Sequence, residues 1–180
     1  MPTCPSCGTE NPEGFNFCGN CATQLEATPV REERKFITAL FCDLVGSTAL
    51  GERLDAEDVS RLLRNYQAIC RKRIESHGGI VEKFIGDAVV GVFGVPLAHE
   101  DDPERAVRAA FRITEDVSAS DLKIEVRIGV NTGEALVRLD VDPRSGEGFA
   151  TGDTMNTAAR LEAAAPVMGV AVGAATHRAS

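Results

Sequence analysis

Two aspartates lie where apolar segments give way to glycine-containing turns. Asp43 follows the almost continuously apolar segment Lys35–Cys42, and Asp87 ends the sequence Lys83-Phe84-Ile85-Gly86-Asp87. In α/β folds such junctions between strand and turn present side chains to ligands. Carboxylate oxygens are hard ligands that suit a divalent cation, which can in turn hold a polyphosphate. The pair therefore predicts a metal and phosphate site, whereas either aspartate alone would be interpreted as a turn residue.

The segment after Asp43 and a later Asn/Arg pair extend this prediction. Asp43 is followed by Leu44, Val45, Gly46, Ser47 and Thr48. This turn opens a predicted helix, so its backbone N–H groups and the helix dipole would attract phosphate; an ordinary strand-to-helix turn is the alternative. Asn156 and Arg160 are four residues apart and share one face of another predicted helix. Metal, phosphate and an orienting Asn/Arg pair together indicate phosphoryl or nucleotidyl chemistry.

Four of the six cysteines form two Cys-x-x-Cys pairs near the N-terminus. They are Cys4, Cys7, Cys18 and Cys21. Two such pairs make a closed tetrahedral Cys4 site, so we expect a structural Zn²⁺ in a zinc-ribbon module at residues 1–24. Phe15 and Phe17 are expected to cover the metal. A pair of disulfides or free thiols is the alternative.

Charge and hydropathy restrict the partners and the compartment. The 180 residues carry a formal net charge of -8, which argues against nucleic acid and anionic membrane surfaces. Residues 1–27 contain no Lys or Arg, so a protein partner is favoured for the ribbon. No apolar run approaches the roughly 20 residues of a membrane helix, and the first residues lack the pattern of a signal segment. These observations predict a soluble, cytoplasmic chain.

The rest of the sequence predicts a linker at residues 25–34 and one α+β domain at residues 35–180. The predicted elements are strand Lys35–Cys42, helix Asp55–Ser76, strands Ile80–Phe84 and Ala88–Phe93, a helix from Asp102, strands Leu122–Val130 and Glu134–Leu139 joined by a turn at Asn131-Thr132-Gly133, helix Asp153–Ala164 and strand Val167–Val172. This order, β-α-β-β-α-β-β-α-β, predicts helices on one face of a largely antiparallel sheet.

From Lys35 to Ser180 the sequence resembles the catalytic domain of class III nucleotidyl cyclases, the adenylate and guanylate cyclases. Four segments match in order: Phe41-Cys42-Asp43 with Gly46-Ser47-Thr48, Lys83-Phe84-Ile85-Gly86-Asp87, Arg127-Ile128-Gly129-Val130-Asn131-Thr132-Gly133, and Gly152-Asp153-Thr154-Met155-Asn156-Thr157-Ala158-Ala159-Arg160. The resemblance implies a ferredoxin-like βαββαβ core with additions. It also implies that two such domains pair head to tail and form their catalytic sites at the interface.

The resemblance also implies a role for each candidate residue. Asp43 and Asp87 would bind two Mg²⁺ or Mn²⁺ ions per active site, which activate the ribose 3′-hydroxyl and neutralise the leaving pyrophosphate. Arg127 would contact phosphate. Asn156 would orient the ribose, and Arg160 would stabilise charge at the α-phosphate.

Lys83 corresponds to the lysine that reads adenine in adenylate cyclases, where guanylate cyclases usually carry Glu, so ATP is favoured over GTP. We therefore expect an adenylate cyclase that makes 3′,5′-cyclic AMP and pyrophosphate at a homodimer interface. The aspartates and Arg127 of one protomer would face Lys83, Asn156 and Arg160 of the other. Without the resemblance, these four basic and amide side chains would be interpreted as solvent-exposed polar residues.

Two features depart from the family pattern. Phe149 occupies the position, three before Gly152, where adenylate cyclases usually carry Asp or Thr, so base selection would rest on Lys83 and packing. Family members also continue past the position of Ser180, so we expect a fragment or an abbreviated domain. The alternative functions are a catalytically degenerate nucleotide-binding and dimerisation module with a regulatory role, a zinc-ribbon adaptor, and a related palm-type enzyme such as a diguanylate cyclase.

Overall fold

The computed structural model describes residues 1–25, 31–142 and 148–180, and the chain divides into two compact units. One unit is the N-terminal segment Met1–Arg31, and the other spans Glu32–Ser180. Residues 26–30 of the predicted linker lie outside the described residues. Residues 32–34, also predicted as linker, already belong to the first strand of the second unit.

The N-terminal unit is built from two similar turns, each carrying one Cys-x-x-Cys pair. The amide of Cys4 donates to the carbonyl of Thr9 at 2.9 Å, and the amide of Cys18 donates to the carbonyl of Thr23 at 2.8 Å. Each turn is also closed by a single β-bridge. A unit of this size buries too little apolar surface to be stable through its core alone.

The buried apolar cluster of this unit consists of Cys4, Cys18 and Leu25. The expectation that Phe15 and Phe17 cover the cysteines is wrong, because these residues are 51% and 58% exposed. Leu25 packs on the buried cysteines instead.

The second unit contains six strands and five helices among its described residues. In chain order they are β1 (Glu32–Leu44), α1 (Ser47–Arg53), α2 (Ala56–Ser76), β2 (Ile80–Ile85), β3 (Ala88–Phe93), α3 (Asp102–Ala119), β4 (Val126–Arg138), β5 (Ala150–Thr151), α4 (Asp153–Ala164), β6 (Val170–Val172) and α5 (Ala174–Ala179). The sequence patterns did not indicate β5 or α5, whereas α1 is the helix expected to open at the Gly46-Ser47-Thr48 turn. No described helix is both long enough and apolar enough to cross a membrane.

The sheet has the strand order β2-β3-β1-β4-β5. These neighbours are antiparallel, and β6 pairs with β4 in parallel. The first four strands and the helices between them give the ferredoxin-like βαββαβ core, with β5, α4, β6 and α5 as additions. The α+β fold class expected from the sequence is therefore confirmed.

Both faces of the central strand β1 are covered by helices. Leu40 and Cys42 belong to a core that includes residues of α2 and α3, whereas Ile37 and Ala39 belong to a second core that includes residues of α4. Alternate residues of a strand point to opposite faces, so the two cores lie on opposite sides of the sheet. The expectation of helices on one face only is wrong, since α4 covers the other face. This double coverage explains the continuous apolar run of β1.

The turn predicted at residues 131–133 is absent from the described structure, because β4 runs without interruption from Val126 to Arg138. The hydroxyl of Thr132 lies 2.9 Å from the hydroxyl of Thr38 and 2.9 Å from that of Thr176. β4 also pairs with all thirteen residues of β1. This long ladder and the satisfied hydroxyl groups outweigh the local turn preference of Asn131-Thr132-Gly133.

Helix α4 lies very close to β4 because β4 has a glycine at the contact. A Cβ atom at Gly129 would overlap the backbone of Ala158 and Glu162. The hydroxyl of Thr154 donates to the carbonyl of Glu134 at 2.6 Å and holds the first turn of α4 on the same strand. The helix that carries Asn156 and Arg160 is therefore fixed against the strand that carries Arg127.

Candidate active site

Asp43 and Asp87 are brought together by neighbouring strands. Cys42 of β1 pairs with Val89 of β3, and Asp87 lies in the hairpin turn just before β3. Burial and the negative charge of Asp87 raise the pKa of Asp43, while the backbone N–H of Leu44 acts in the opposite direction. Asp43 Oδ1 and Asp87 Oδ2 are both buried and have no hydrogen-bond partner among the described residues. Two adjacent carboxylates with unpartnered oxygens fit a divalent cation, which would supply the missing positive charge.

Arg127 lies beside this pair on β4. It is the register partner of Asp43 in the β1–β4 ladder, so both side chains are on the face of the sheet covered by α4. Its Nε atom is buried and lacks a hydrogen-bond partner within the described part of the chain. The fold thus brings three of the predicted site residues together within one copy of the chain.

The turn after Asp43 offers only part of the expected phosphate cradle. Gly46 has a φ of 71°, a conformation that favours glycine, and α1 begins at the next residue, Ser47. The amide of Val45 already donates to the carbonyl of Glu125 at 2.9 Å. The expectation that this amide is free to bind phosphate is therefore wrong. The first N–H groups of α1 have no partner within the helix. Ser47 and Thr48 are therefore the better candidates.

A cleft of about 280 Å³ connects this turn with the β2–β3 hairpin turn. Its polar wall contains Ser47, Thr48, Gly86 and Asp87, and the rest of its lining is apolar. A larger cleft of about 810 Å³ between the end of α2 and the helix α3 contains none of the predicted site residues. Size alone therefore does not identify the site, and the smaller cleft is the one beside the aspartates.

Asn156 and Arg160 lie on the exposed side of α4. Arg160 Nη2 is 3.2 Å from Asp153 Oδ1, and the two side chains are 72% and 88% exposed, so this ion pair contributes little stability. The hydrogen bonds of Arg160 go to residues of its own helix. Between described residues, no hydrogen bond or ion pair joins Asn156 or Arg160 to the two aspartates. One copy of the chain thus presents two separate groups of candidate residues.

A β-bulge determines where Lys83 points. Val81 pairs with Gly91 and Lys83 pairs with Val90, so Glu82 is an extra residue in β2. With regular alternation Lys83 would lie on the face covered by α2 and α3. Its partner Val90 belongs instead to the core on the α4 face. The bulge therefore places Lys83 on the same face as Asp43 and Arg127.

Two further positions change how the site is interpreted. Phe149, at the expected base-reading position, is 1% exposed and packs in the core on the α4 face. Glu162 is a carboxylate that the sequence reasoning did not single out, although it follows Arg160 by two residues. That spacing turns it by about 200° around the helix, towards Gly129 of the sheet. Burial and the charge of Asp43 raise the pKa of Glu162, and the positive charge of Arg127 opposes that shift.

The four N-terminal cysteines converge. Their sulfur atoms all lie within 4.8 Å of one another, with Cys4 and Cys21 at 3.5 Å and Cys7 and Cys18 at 3.6 Å. A disulfide needs about 2.05 Å, and all four cysteines are free. A tetrahedral zinc ion with Zn–S distances of about 2.3 Å separates its sulfurs by about 3.8 Å. The cluster fits a metal ion of that kind.

Local hydrogen bonds favour the thiolate form at two of these cysteines. The hydroxyl and amide groups of Thr9 lower the pKa of Cys7 to about 5. Backbone N–H groups of Asn20 and Cys21 lower the pKa of Cys18. Thiolates are the form that binds metal, so Cys7 and Cys18 are prepared to act as ligands, whereas the pKa of Cys4 is raised, since burial and the neighbouring thiols outweigh its backbone hydrogen bonds.

Residues 30–180 match the adenylate and guanylate cyclase catalytic domain family, and the chain belongs to that family. Residues 2–26 match a domain of unknown function, DUF7577. The resemblance to class III nucleotidyl cyclases is therefore confirmed.

Similar curated proteins are longer than this chain. Uncharacterized protein R02095 of Rhizobium meliloti (strain 1021) is 36% identical over 140 residues, which cover 73% of this chain and 13% of that protein. Uncharacterized protein Rv1319c of Mycobacterium tuberculosis (strain ATCC 25618 / H37Rv) is 33% identical over 141 residues, or 78% of this chain and 26% of that protein. The chain thus spans about a quarter or less of the length of these relatives.

Solved structures of cyclase domains share the fold. The dimeric guanylyl cyclase domain of the RhoGC fusion protein from the aquatic fungus Blastocladiella emersonii is 25% identical with a TM-score of 0.75, covering 83% of this chain and 85% of that chain. The adenylyl cyclase CyaB from P. aeruginosa is 28% identical with a TM-score of 0.75, covering 83% and 82%. The first structure is named a guanylyl cyclase and the second an adenylyl cyclase. The shared fold alone therefore does not select the nucleotide.

Proposed function

We propose that this chain is an adenylate cyclase domain that converts ATP into 3′,5′-cyclic AMP and pyrophosphate. The observation that carries the proposal is the pair Asp43 and Asp87, each with one buried carboxylate oxygen that has no partner among the described residues, beside Arg127 in a chain of the cyclase family. Asp43 and Asp87 hold Mg²⁺ or Mn²⁺, which supplies Lewis-acid activation of the ribose 3′-hydroxyl. Arg127 binds the triphosphate on the same face of the sheet.

The separation of the candidate residues supports a site shared between two copies. Asn156 and Arg160 project from the exposed side of α4, whereas Asp43, Asp87 and Arg127 form the other group. A two-fold dimer that places α4 of one copy over the aspartates of the other unites both groups twice. Asn156 then orients the ribose, and Arg160 stabilises the charge that develops at the α-phosphate.

Lys83 is the proposed base reader, because an ammonium group donates to adenine N1. Guanine carries a proton at the same ring position, so its N1 opposes the ammonium with a donor. The placement of Lys83 on the α4 face supports this role, since the proposed dimer covers that face. ATP is therefore the proposed substrate.

The proposed activity is tested by measuring cyclic nucleotides formed by the purified chain from ATP and from GTP, with Mg²⁺ or Mn²⁺. We expect cyclic AMP to rise more than linearly with protein concentration, because activity requires two copies. Tight ATP binding without any product, at concentrations where dimers are present, would instead identify a regulatory nucleotide-binding module.

We also propose that Cys4, Cys7, Cys18 and Cys21 bind one structural Zn²⁺. Cys18→Ser should lose the bound zinc and unfold the N-terminal unit, because that unit has almost no apolar core. Zinc content by mass spectrometry and amide dispersion in NMR spectra measure both effects. Ser6→Ala, an exposed change between Cys4 and Cys7, is the control and should keep the metal. Retention of a full equivalent of zinc by Cys18→Ser would contradict the four-cysteine site.

A further inference from the structure

Glu82 is a fully buried glutamate to which the proposed chemistry assigns no role. It is 0% exposed. Its Oε1 atom accepts the backbone N–H of Ala150 at 3.1 Å. Its Oε2 atom is 3.4 Å from Lys83 Nζ but has no partner with hydrogen-bond geometry among the described residues. A buried carboxylate destabilises a fold unless a charge compensates it, and among the described residues the ammonium of Lys83 forms an ion pair with Glu82.

The contact between these consecutive residues depends on the β-bulge. Neighbouring residues of a regular strand point to opposite faces, so their side chains do not meet. The extra residue in β2 turns Glu82 and Lys83 to the same face, where Glu82 meets β5 and Lys83 is partly exposed. The bulge thus creates a pair in which the inner charge is buried and the outer charge reaches the surface.

The chain around residue 148 completes this arrangement. A Cβ atom at Gly148 would lie 3.2 Å from Glu82 Oε1 and 3.2 Å from Lys83 Nζ, so the backbone passes directly against both groups. Glu82 therefore ties together the lysine and the segment 148–150. Phe149 in this segment is buried, so it offers no side chain to a base.

A base-reading lysine must be held in place if it is to discriminate between adenine and guanine. Its side chain has four rotatable bonds, and a free ammonium can follow whichever acceptor a base presents. An ammonium fixed opposite ring position 1 accepts adenine and opposes the N1–H of guanine. A mobile ammonium can move to guanine O6 and lose that discrimination.

We propose that Glu82 is a positioning residue for base selection, which fixes the ammonium of Lys83 against the segment 148–150 and so sets the preference for ATP over GTP. This inference rests on the proposed function, in which Lys83 contacts the base. Glu82 acts through Lys83 and does not touch the nucleotide itself.

Glu82→Gln tests the inference, because glutamine keeps the shape and the acceptor for Ala150 but removes the charge. We expect the ratio of kcat/KM for ATP to that for GTP to fall about tenfold, mainly through KM, with little change in melting temperature. In a Lys83→Gln background the same change should leave the ratio unaltered. If Glu82 had only a structural role, Glu82→Gln would lower kcat/KM for ATP and for GTP equally, with or without Lys83. Glu57→Gln, on the exposed start of α2, is the matched control and should change nothing.

Binding of 3′-deoxy-ATP and 3′-deoxy-GTP, which cannot cyclise, gives the same comparison without turnover. A wild-type chain that makes no cyclic product but loses its ATP preference on Glu82→Gln would reject the proposed function and retain the inference. An unchanged ratio in Glu82→Gln, or a wild-type chain without preference, overturns the inference. If Glu82→Gln does not fold, Glu82→Asp replaces it, since it retracts the charge from Lys83 and should lower the same ratio.

Discussion

Asp43→Asn should lower kcat for cyclic AMP formation by about 10³-fold or more and, without metal, raise the melting temperature. The loss of activity follows because a neutral amide cannot replace the carboxylate that holds the metal pair. The gain in stability follows because burial and the charge of Asp87 raise the pKa of Asp43 in the folded chain. An ionised Asp43 therefore destabilises the metal-free fold at neutral pH, and asparagine removes that charge.

The pH dependence of this effect has a definite sign. A raised folded-state pKa means that the folded chain binds the proton more tightly than the unfolded chain. The stability of the metal-free wild type should therefore fall as pH rises through the raised pKa of Asp43. Below the ordinary pKa of aspartate both states are protonated, and the difference between wild type and Asp43→Asn should disappear.

Calorimetry with and without Mn²⁺ separates the metal role from a simple structural role. Mn²⁺ should raise the melting temperature of the wild type, because it binds the folded state, and should have little effect on Asp43→Asn. Asp121→Asn, an exposed change in the segment before β4, should behave as the wild type in both measurements. Equal stabilisation of Asp43→Asn by Mn²⁺ would place the metal elsewhere.

Arg160→Ala should reduce kcat by about 10²- to 10³-fold with a small change in KM for ATP. The guanidinium is proposed to act on charge that develops only in the transition state, so its loss appears in kcat. The fold should be unaffected, since the side chain is 72% exposed and its ion-pair partner, Asp153, is also exposed. Steady-state kinetics and a thermal melt of the same preparation measure both expectations.

Mixing two inactive variants shows whether the site is shared. In a dimer of Asp43→Asn with Arg160→Ala, one site carries both lesions and the other carries neither. An equal mixture with random pairing should recover about a quarter of wild-type activity. Asp43→Asn mixed with Asp87→Asn is the control, because both lesions fall on the same half of each site and no activity should return. Failure to recover activity in proven heterodimers would mean that each chain holds a complete site.

The helix that carries Asn156 and Arg160, and the strand ends at which the two aspartates lie, could be predicted because they depend on local patterns. Apolar segments that end in Gly-containing turns can be recognised in the sequence alone, and so can two residues spaced four apart on a helix. The order of elements indicated the α+β class, and the resemblance to the cyclase family implied the ferredoxin-like core. Of the linker expected at residues 25–34, the last three residues proved to be strand.

Features that depend on pairing between distant segments could not be predicted in this way. The bulge at Glu82 is defined by the pairing of β2 with β3, and no residue type within β2 indicates it. The segment 131–133 looked like a turn because its pairing with β1 is not visible locally. Phe149 was aligned with a base-reading position of the family that it cannot serve, and its burial in the second core became visible only in the fold. Glu162 became relevant only when Gly129 was seen to bring α4 onto the sheet.

The close contact at Gly129 also limits what can move within one copy. Any sliding of α4 along β4 would drive the backbone of Ala158 and Glu162 into the strand or break the bond from Thr154 to Glu134. The backbone positions of Arg127 and Arg160 in the same chain therefore keep a constant separation, because α4 and β4 move as one rigid unit. In the proposed dimer, only a rotation of one copy against the other then changes the distance between the two halves of a site. A regulatory signal would act on the activity by changing that rotation.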